Sequence, residues 1–234
     1  MVGAAPLTPA DPLPSGDLLV IATRDGAIAA VASVLAAGGP EIDSAVHVSG
    51  LTPVTVLDPL RRQGMRTGSF HPLQTLPNPE AGAARLAGAY IAITAEEPLR
   101  TQLEQLAADI GATPFRLEHK DKALYHAAAA AAANFPLAAL AMAEDLFAEA
   151  GVPWDAARPL VEAVVANAFD LGPRAALTGP VARGDVATVA AQLEAVRVQH
   201  PAWQLGFARF VELLTRLTGR TEEFEGVLDA EEDG

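Results

Sequence analysis

Cysteine is absent from this 234-residue sequence. Disulfide bonds, thiolate nucleophiles and cysteine-ligated metal sites are therefore excluded together. The five histidines are scattered without the spacing of metal ligands, so we expect no metal site. A Walker phosphate-binding loop and a G-x-S-x-G nucleophile elbow are also missing, which argues against P-loop nucleotide hydrolysis and against serine catalysis of the α/β-hydrolase type.

Aromatic residues and cations are scarce as well. Only 5% of the residues are aromatic whereas half are hydrophobic, so the core must be built mainly from Ala, Val and Leu. The net charge of −13 argues against a nucleic-acid partner, because phosphate binding needs clustered cations. Seven acidic residues follow Arg220, and this pattern predicts a solvated acidic tail over 221–234.

Long, strongly apolar runs are lacking too. The first residues do not show the basic start and continuous apolar core of a signal peptide. The run 127–143 consists mainly of alanine, contains Asn134 and Pro136, and is shorter than the roughly 20 strongly apolar residues of a membrane span. We expect a buried helix here, no membrane partner and a cytoplasmic protein.

Short apolar runs alternate with helical patterns in the first half of the chain. After a loop over 1–16, the predicted strands cover 17–23, 45–49, 65–70, 90–94 and 113–117. The predicted helices cover 26–37, 54–63 and 98–110. This alternation predicts an α/β layer with parallel strand pairs.

No strand pattern remains beyond Glu118. The sequence predicts four helices there, over 120–150 with a kink near Pro136, 154–171, 185–198 and 203–218. We therefore predict an α/β domain over 1–118, an all-α helical domain over 119–220 and the acidic tail over 221–234.

The first of these helices carries polar groups on a rod made almost wholly of alanine. Lys122 and His126 are four residues apart and therefore share one face, and Asn134 lies two turns further along. Leaving such groups buried and unpaired costs about 1–3 kcal/mol each, so each must form a hydrogen bond within the protein or contact a ligand. This pattern is typical of one wall of a small-molecule site.

Several blocks, taken in order, carry a family resemblance. They are Ile21 to Ile28, His47 to Gly50, Ser69 to Thr75, Asp121 to Ala128 with Asn134, and Leu177 to Asp185. Together they resemble the Rossmann-like proteins whose helical C-terminal half is catalogued as a domain of unknown function. These belong to the wider group of 6-phosphogluconate dehydrogenase, ketopantoate reductase and pyrroline-5-carboxylate reductase. The resemblance implies an incomplete Rossmann-type parallel sheet followed by a helical domain that mediates a homodimer.

One family feature is missing from the sequence. Members normally open with a strand and a G-x-G-x-x-G turn about fifty residues ahead of the strand at 17–23, and those glycines let a helix N-terminus approach the dinucleotide pyrophosphate. Without the strand that normally pairs with it, the apolar run at 17–23 becomes a sheet edge, which natural proteins usually blunt. We expect that the protein begins upstream of Met1; the alternatives are a partner chain over this edge or a rebuilt fold.

The resemblance assigns candidate roles to eleven residues. Lys122 and His126 are the catalytic candidates, Lys122 as the acid or carbonyl polariser. The substrate-binding candidates are His71, Gln74, Asn134 and Arg183. The candidates for binding NADP or NAD lie at strand ends: Thr23, Arg24, Asp25, Ser49 and Gly50.

Structural alternatives stand beside these roles. Lys122 would pair with Glu118 or Asp121 at the helix start, and His71 would be a loop histidine satisfied by backbone. Asn134 would cap a buried carbonyl, and Arg183 with Asp185 would lock a bend.

Three functions follow. The first is an NAD(P)-dependent reductase of a small keto acid or imine, which fold-level analogy supports only weakly. The second is a non-catalytic ligand-binding protein without the dinucleotide cradle. The third is a dimeric scaffold.

Overall fold

The structure, a computed structural model, describes residues 13–229. Its first half contains one five-stranded sheet with the strand order β1-β2-β3-β4-β5. The strands are β1 (Gly16–Ile21), β2 (Ile42–His47), β3 (Arg66–Leu73), β4 (Tyr90–Ala95) and β5 (Thr113–Arg116). The predicted α/β class is confirmed, and most of the predicted loop at 1–16 lies outside the described residues.

One of the four strand pairs differs from the expectation of parallel pairs. The β1–β2, β2–β3 and β4–β5 pairs are parallel, but β3 and β4 are antiparallel, with Ser69 opposite Thr94 and His71 opposite Ala92. Apolar runs report that a strand is buried on both faces and carry no information about its direction. The sheet is therefore mostly parallel, with one antiparallel pair between β3 and β4.

Helices cover both faces of the sheet. The first unit contains α1 (Ile28–Ala37), α2 (Asp58–Arg61), α3 (Pro79–Leu86), α4 (Leu99–Asp109) and α5 (Lys122–Ala133). Neighbouring residues of β2 point to opposite faces. Ala45 packs with Ile28 and Leu60 of α1 and α2, whereas Val46 packs with Leu99 and Leu103 of α4. Of these helices, α3 was not predicted.

Strand β1 forms an edge of the sheet. It pairs with β2 on one side, and it stands first in the strand order of the described residues. Val20 is 48% exposed, and Leu18 and Leu19 are only half-buried. The apolar run at 17–23 is thus an edge strand, as the missing neighbour implied.

The chain divides into two compact units between Phe135 and Pro136. The second contains α6 (Phe135–Glu149), α7 (Ala157–Leu171), α8 (Pro180–Arg183), α9 (Val186–Gln199), α10 (Gln204–Thr218) and α11 (Thr221–Leu228). The break between α5 and α6 lies at Asn134, where the sequence predicted a kink. The predicted domain boundary near 118 follows the last strand. The compact units instead group α5 with the sheet, because its side chains bond to β3.

The acidic segment after Arg220 folds further than its charge predicted. Thr221–Leu228 forms α11, and Phe224 is fully buried against Val189 and Val211. Phe224, Val227 and Leu228 have the three- and four-residue spacing of one helix face. The expectation of a solvated tail is corrected for 221–228, and residues 230–234 lie outside the described part.

The alanine-rich stretch is not the buried helix that the sequence predicted. His119–Glu149 is long and apolar enough to cross a membrane by length and composition alone, which is weak evidence for such a span. Only 6% of the most apolar 18-residue stretch of this segment is buried. The buried-helix expectation is therefore corrected: the folded chain leaves this apolar surface uncovered.

Candidate functional site

Lys122 occupies the first position of α5 and is only 2% exposed. Its Nζ donates a hydrogen bond to Ser69 Oγ on β3 at 2.9 Å. The sequence offered Glu118 and Asp121 as alternative partners for Lys122. Glu118 instead forms an ion pair with Arg116 at 2.7 Å. The lysine thus donates one hydrogen bond to a neutral hydroxyl within the sheet and does not pair with Glu118.

Burial changes the acidity of this ammonium. Removal from water disfavours the charged form and lowers the pKa of Lys122 from 10.5 to about 8, although the Asp25 carboxylate opposes the shift. At neutral pH the group is therefore still mostly protonated, yet it gives up its proton far more readily than an exposed lysine. Such a pKa suits a proton donor that works near neutral pH.

Asp25 is held in place by the loop after β2. Ser49 Oγ donates to Asp25 Oδ2 at 2.7 Å, and the Thr52 N–H donates to Ser49 Oγ at 3.0 Å. The hydroxyl oxygens of Ser49 and Thr52 lie 2.9 Å apart. This network fixes a carboxylate near Lys122, beyond the carboxyl ends of two parallel strands, where open α/β sheets bind ligands.

Another buried polar group, His47, was missed by sequence reasoning. It lies on β2 opposite Ser69, is completely buried, and accepts a hydrogen bond from the Ser49 N–H at 3.2 Å through Nδ1. Burial, reinforced by the Lys122 charge, lowers its pKa to about 4, so the ring is neutral. The signal that pointed to it was a lone polar side chain within the apolar run 45–48.

His71 lies on β3 and bonds to Tyr125 of α5. Its Nδ1 is 2.8 Å from the Tyr125 hydroxyl, and the two rings meet edge to face with centroids 5.6 Å apart. Burial and the neighbouring Lys122 lower the His71 pKa to about 4. The alternative of a loop histidine satisfied by backbone is wrong, since the residue belongs to a strand and its partner is a side chain.

Gly50 lies directly against the His71 ring. A Cβ at this position would lie 2.8–3.0 Å from three atoms of the ring, closer than real contacts allow. Only glycine leaves space for the imidazole here. The predicted cofactor residue Gly50 is thus in direct contact with the predicted substrate residue His71.

Tyr125 was also missed, although its spacing offered a signal. It follows Lys122 by three residues and therefore shares its helix face. Burial raises its pKa to about 12, so the phenol keeps its proton. Its ring also packs edge to face on Phe115, with centroids 5.9 Å apart.

The other candidates lie in several places. His126 is exposed, with its ring centroid 6.5 Å from that of His71, so it sits at the rim of the cluster. Thr23 and Arg24 are exposed beyond the end of β1. Gln74 is exposed and bonded to Thr75, Asn134 is exposed after α5, and Arg183 belongs to the second unit. The roles of these residues remain predictions, whereas Asp25, Ser49, Gly50, His71 and Lys122 form one cluster.

Only part of a nicotinamide dinucleotide fits the described residues. The turn from β1 into α1 contains one glycine, Gly26, and the carboxylate of Asp25 stands where that helix begins. A carboxylate at a helix start repels the pyrophosphate that a glycine-rich turn would bind. The hydroxyl groups of Ser49 and Thr52 are suited to a ribose or carboxamide instead.

The Asp25 charge makes the acidity of Lys122 testable. Because the carboxylate raises the lysine pKa, Asp25→Asn should lower it further below about 8. The lysine pKa can be read from the pH dependence of amine modification, followed by mass spectrometry of the peptide that contains it. Asp43→Asn, at an exposed carboxylate on β2, is the control; an unchanged Lys122 profile in Asp25→Asn would contradict the coupling.

Solved structures share this architecture. The Thermotoga maritima protein TM1727 has a TM-score of 0.72 at 21% identity, covering 88% of this chain and 80% of its own. BF3122 from Bacteroides fragilis, a candidate NADP oxidoreductase by name, has a TM-score of 0.70 at 22% identity and covers 92% and 78%. Plasmodium falciparum pyrroline carboxylate reductase, solved with NADP bound, has a TM-score of 0.54 at 11% identity and covers 88% and 77%.

These likenesses establish the fold, which is a Rossmann-like α/β domain followed by a helical domain. No curated protein matches the sequence significantly. The family model for a domain of unknown function, DUF2520, matches residues 89–210, just over half of the chain. The match spans the last two strands and most of the helical half. The chain therefore belongs to the DUF2520 family.

Proposed function

We propose that this protein is an NAD(P)-dependent reductase of a small keto acid or imine. The observation that carries the proposal is the buried Lys122 ammonium, bonded to Ser69 on β3 opposite the last residue of β2. A reduction of this type needs a proton donor at the heteroatom and groups that hold the substrate. Lys122 supplies the first, and His71 is the nearest candidate for the second.

The proton step follows from the ammonium geometry. One N–H of Lys122 is directed to Ser69 Oγ, which orients the group and leaves two N–H bonds for a ligand. As a carbonyl or imine carbon is reduced, its oxygen or nitrogen gains negative charge and takes a proton from Nζ. The neutral amine then regains a proton from water, and Asp25 favours that return by stabilising the cation.

The hydride is the chemistry that a reduced nicotinamide supplies when bound. Ser49 and Thr52 would face its ribose or carboxamide end, and the predicted contacts of Thr23, Arg24 and Asp25 belong to this same end.

The direct test is turnover by the chain. We expect it to oxidise NADPH or NADH when supplied with a member of a panel of 2-oxo acids and cyclic imines, measured by loss of the reduced-nicotinamide absorbance. Thermal stabilisation by each nucleotide and each substrate alone measures binding separately. If neither nucleotide is oxidised nor stabilises the fold, the reductase proposal fails.

A non-catalytic ligand-binding protein is the second candidate. The Asp25 carboxylate at the start of α1 favours it, because this charge opposes pyrophosphate binding at that turn. Stabilisation by a 2-oxo acid without any nucleotide oxidation would support this candidate.

A homodimer formed through the helical half is also part of the proposal. Along α7, the side chains of Leu160, Val164, Val165, Phe169 and Leu171 are at least half exposed, and Phe169 is 88% exposed. The exposed alanines of α5 allow close approach of another helix. Apolar surface left uncovered to this extent typically packs against a partner.

The dimer proposal predicts a clear effect of Phe169→Glu. A charge in place of the most exposed apolar side chain of α7 should convert a dimer into a monomer, measured by light scattering coupled to gel filtration. Asp170→Lys is the matched control, because Asp170 is exposed on the same helix and none of the named apolar side chains lies three or four residues from it. A monomeric wild-type protein, or a dimeric Phe169→Glu variant, would contradict this interface.

A further inference from the structure

The two nitrogens of His71 have different environments. Nδ1 lies 2.8 Å from the Tyr125 hydroxyl. Nε2 has no hydrogen-bond partner among residues 13–229, and it is not among the enclosed side-chain atoms without partners. One nitrogen is therefore committed to the protein, and the other remains reachable by a ligand.

The phenol determines which nitrogen carries the proton. A neutral tyrosine has one O–H to donate, and an imidazole has one nitrogen that accepts. If Tyr125 donates to Nδ1, the ring proton must sit on Nε2. The opposite arrangement would leave the Tyr125 O–H without an acceptor among the described residues, which is unfavourable for a half-buried group.

The surroundings keep this ring uncharged and fixed in place. Lys122 and His126 both disfavour a positive charge on His71, and only Asp25 favours it. His47, the other buried histidine of the cluster, is likewise neutral. Gly50 supports the ring on one face, and Tyr125 contacts it edge to face.

We propose that Tyr125 is a positioning residue that locks His71 in the Nε2–H form, and that this neutral N–H binds the carbonyl or carboxylate oxygen of the substrate. The ligand class is therefore an oxygen acceptor such as a 2-oxo acid. A neutral imidazole can bind such an oxygen as a hydrogen-bond donor without competing with Lys122 to give up a proton. The substrate part of this inference rests on the proposed function, whereas the tautomer part does not.

Nitrogen-15 NMR of the imidazole rings tests the tautomer without any turnover. In the wild-type protein, the His71 signals should show a protonated Nε2 and an unprotonated Nδ1 near neutral pH, with assignment by their loss in His71→Gln. In Tyr125→Phe, which keeps the aromatic ring, the two signals should move towards each other as both tautomers become populated. Tyr90→Phe is the matched control, because Tyr90 is the only other tyrosine and is exposed.

Gly50→Ala provides a second, independent variant. Its Cβ would lie 2.9 Å from Nε2, so it should displace the ring and close access to this nitrogen. Titration with pyruvate as the probe should shift the Nε2 signal in the wild-type protein and not in Gly50→Ala. Circular dichroism establishes whether each variant is folded.

The outcomes separate this inference from the proposed function. A protonated Nδ1 in the wild-type protein, or an unchanged pattern in Tyr125→Phe, would overturn the tautomer lock even in an active reductase. If the wild-type protein shows the expected NMR pattern but no turnover, only the reductase proposal is overturned.

In an active enzyme, Tyr125→Phe should raise KM for the substrate about tenfold and change kcat little, as the loss of one hydrogen bond predicts. An unchanged KM would contradict the role of His71 in substrate binding.

Discussion

Replacing Lys122 with methionine should lower kcat/KM of the proposed reduction by about 10²–10⁴, the typical contribution of a positioned general acid. Methionine has a similar length and no ionisable group, so it removes the proton donor while it largely preserves packing. The loss should appear mainly in kcat, because the ammonium acts on charge that develops in the transition state. Steady-state kinetics with the substrate identified from the panel measure it.

The sequence offers a matched control for this variant. Lys120 is the only other lysine in the chain, it is exposed, and it lies one residue before Asp121 at the same helix start. Lys120→Met should leave kcat/KM within about twofold of wild type, as expected for a surface position away from the site. If Lys122→Met retained wild-type turnover, the proton-donor role of Lys122 would be wrong even if the protein were a reductase.

The same substitution should stabilise the fold at neutral pH. The pKa of Lys122 falls from 10.5 to about 8 in the folded state, so burying its charge costs about 3 kcal/mol below pH 8. Lys122→Met removes that cost but leaves Ser69 Oγ without its donor, which costs about 1 kcal/mol. The free energy of unfolding should therefore rise by about 2 kcal/mol, measured by urea denaturation.

The pH dependence identifies the cause of this stabilisation. Between pH 8 and 10.5 the unfolded chain binds a proton at Lys122 that the folded chain has released, so the stability of the wild-type protein rises with pH in this window. The advantage of Lys122→Met should be largest below pH 8 and should shrink as the pH approaches 10.5. An advantage that is constant with pH would mean that packing, and not the buried charge, is responsible. Lys120→Met should show neither effect.

The local elements were largely predictable from sequence. The sequence located all five strands to within three residues, although the segments predicted at 65–70 and 113–117 include polar residues. Gly38-Gly39 and Gly64 marked the ends of the first two helices. The short helices α3, α8 and α11 were missed, since a segment of eight or fewer residues shows too few turns for its periodicity to stand out.

The candidate site was predictable only in part. The sequence indicated Lys122, Asp25 and Ser49 as site residues, because their charged or hydroxyl groups lie next to apolar segments. Their partners were not accessible to the same reasoning: Ser69 lies 53 residues before Lys122, and Tyr125 lies 54 residues after His71. Contacts at such separations depend on strand order and on the side of the sheet where α5 packs.

By itself, the sequence determined where the strands and the longer helices lie, where the chemistry-bearing residues stand along the chain, and that thiol chemistry is excluded. These properties depend on composition and on spacing within single helices and strands. Only the tertiary structure decided that β4 runs antiparallel to β3, that Lys122 donates a hydrogen bond to Ser69, and that position 50 has no room for a side chain because the His71 ring lies against it. Each of these depends on atoms from segments far apart in the chain, and burial in the folded protein is what moves the pKa of Lys122 towards neutrality.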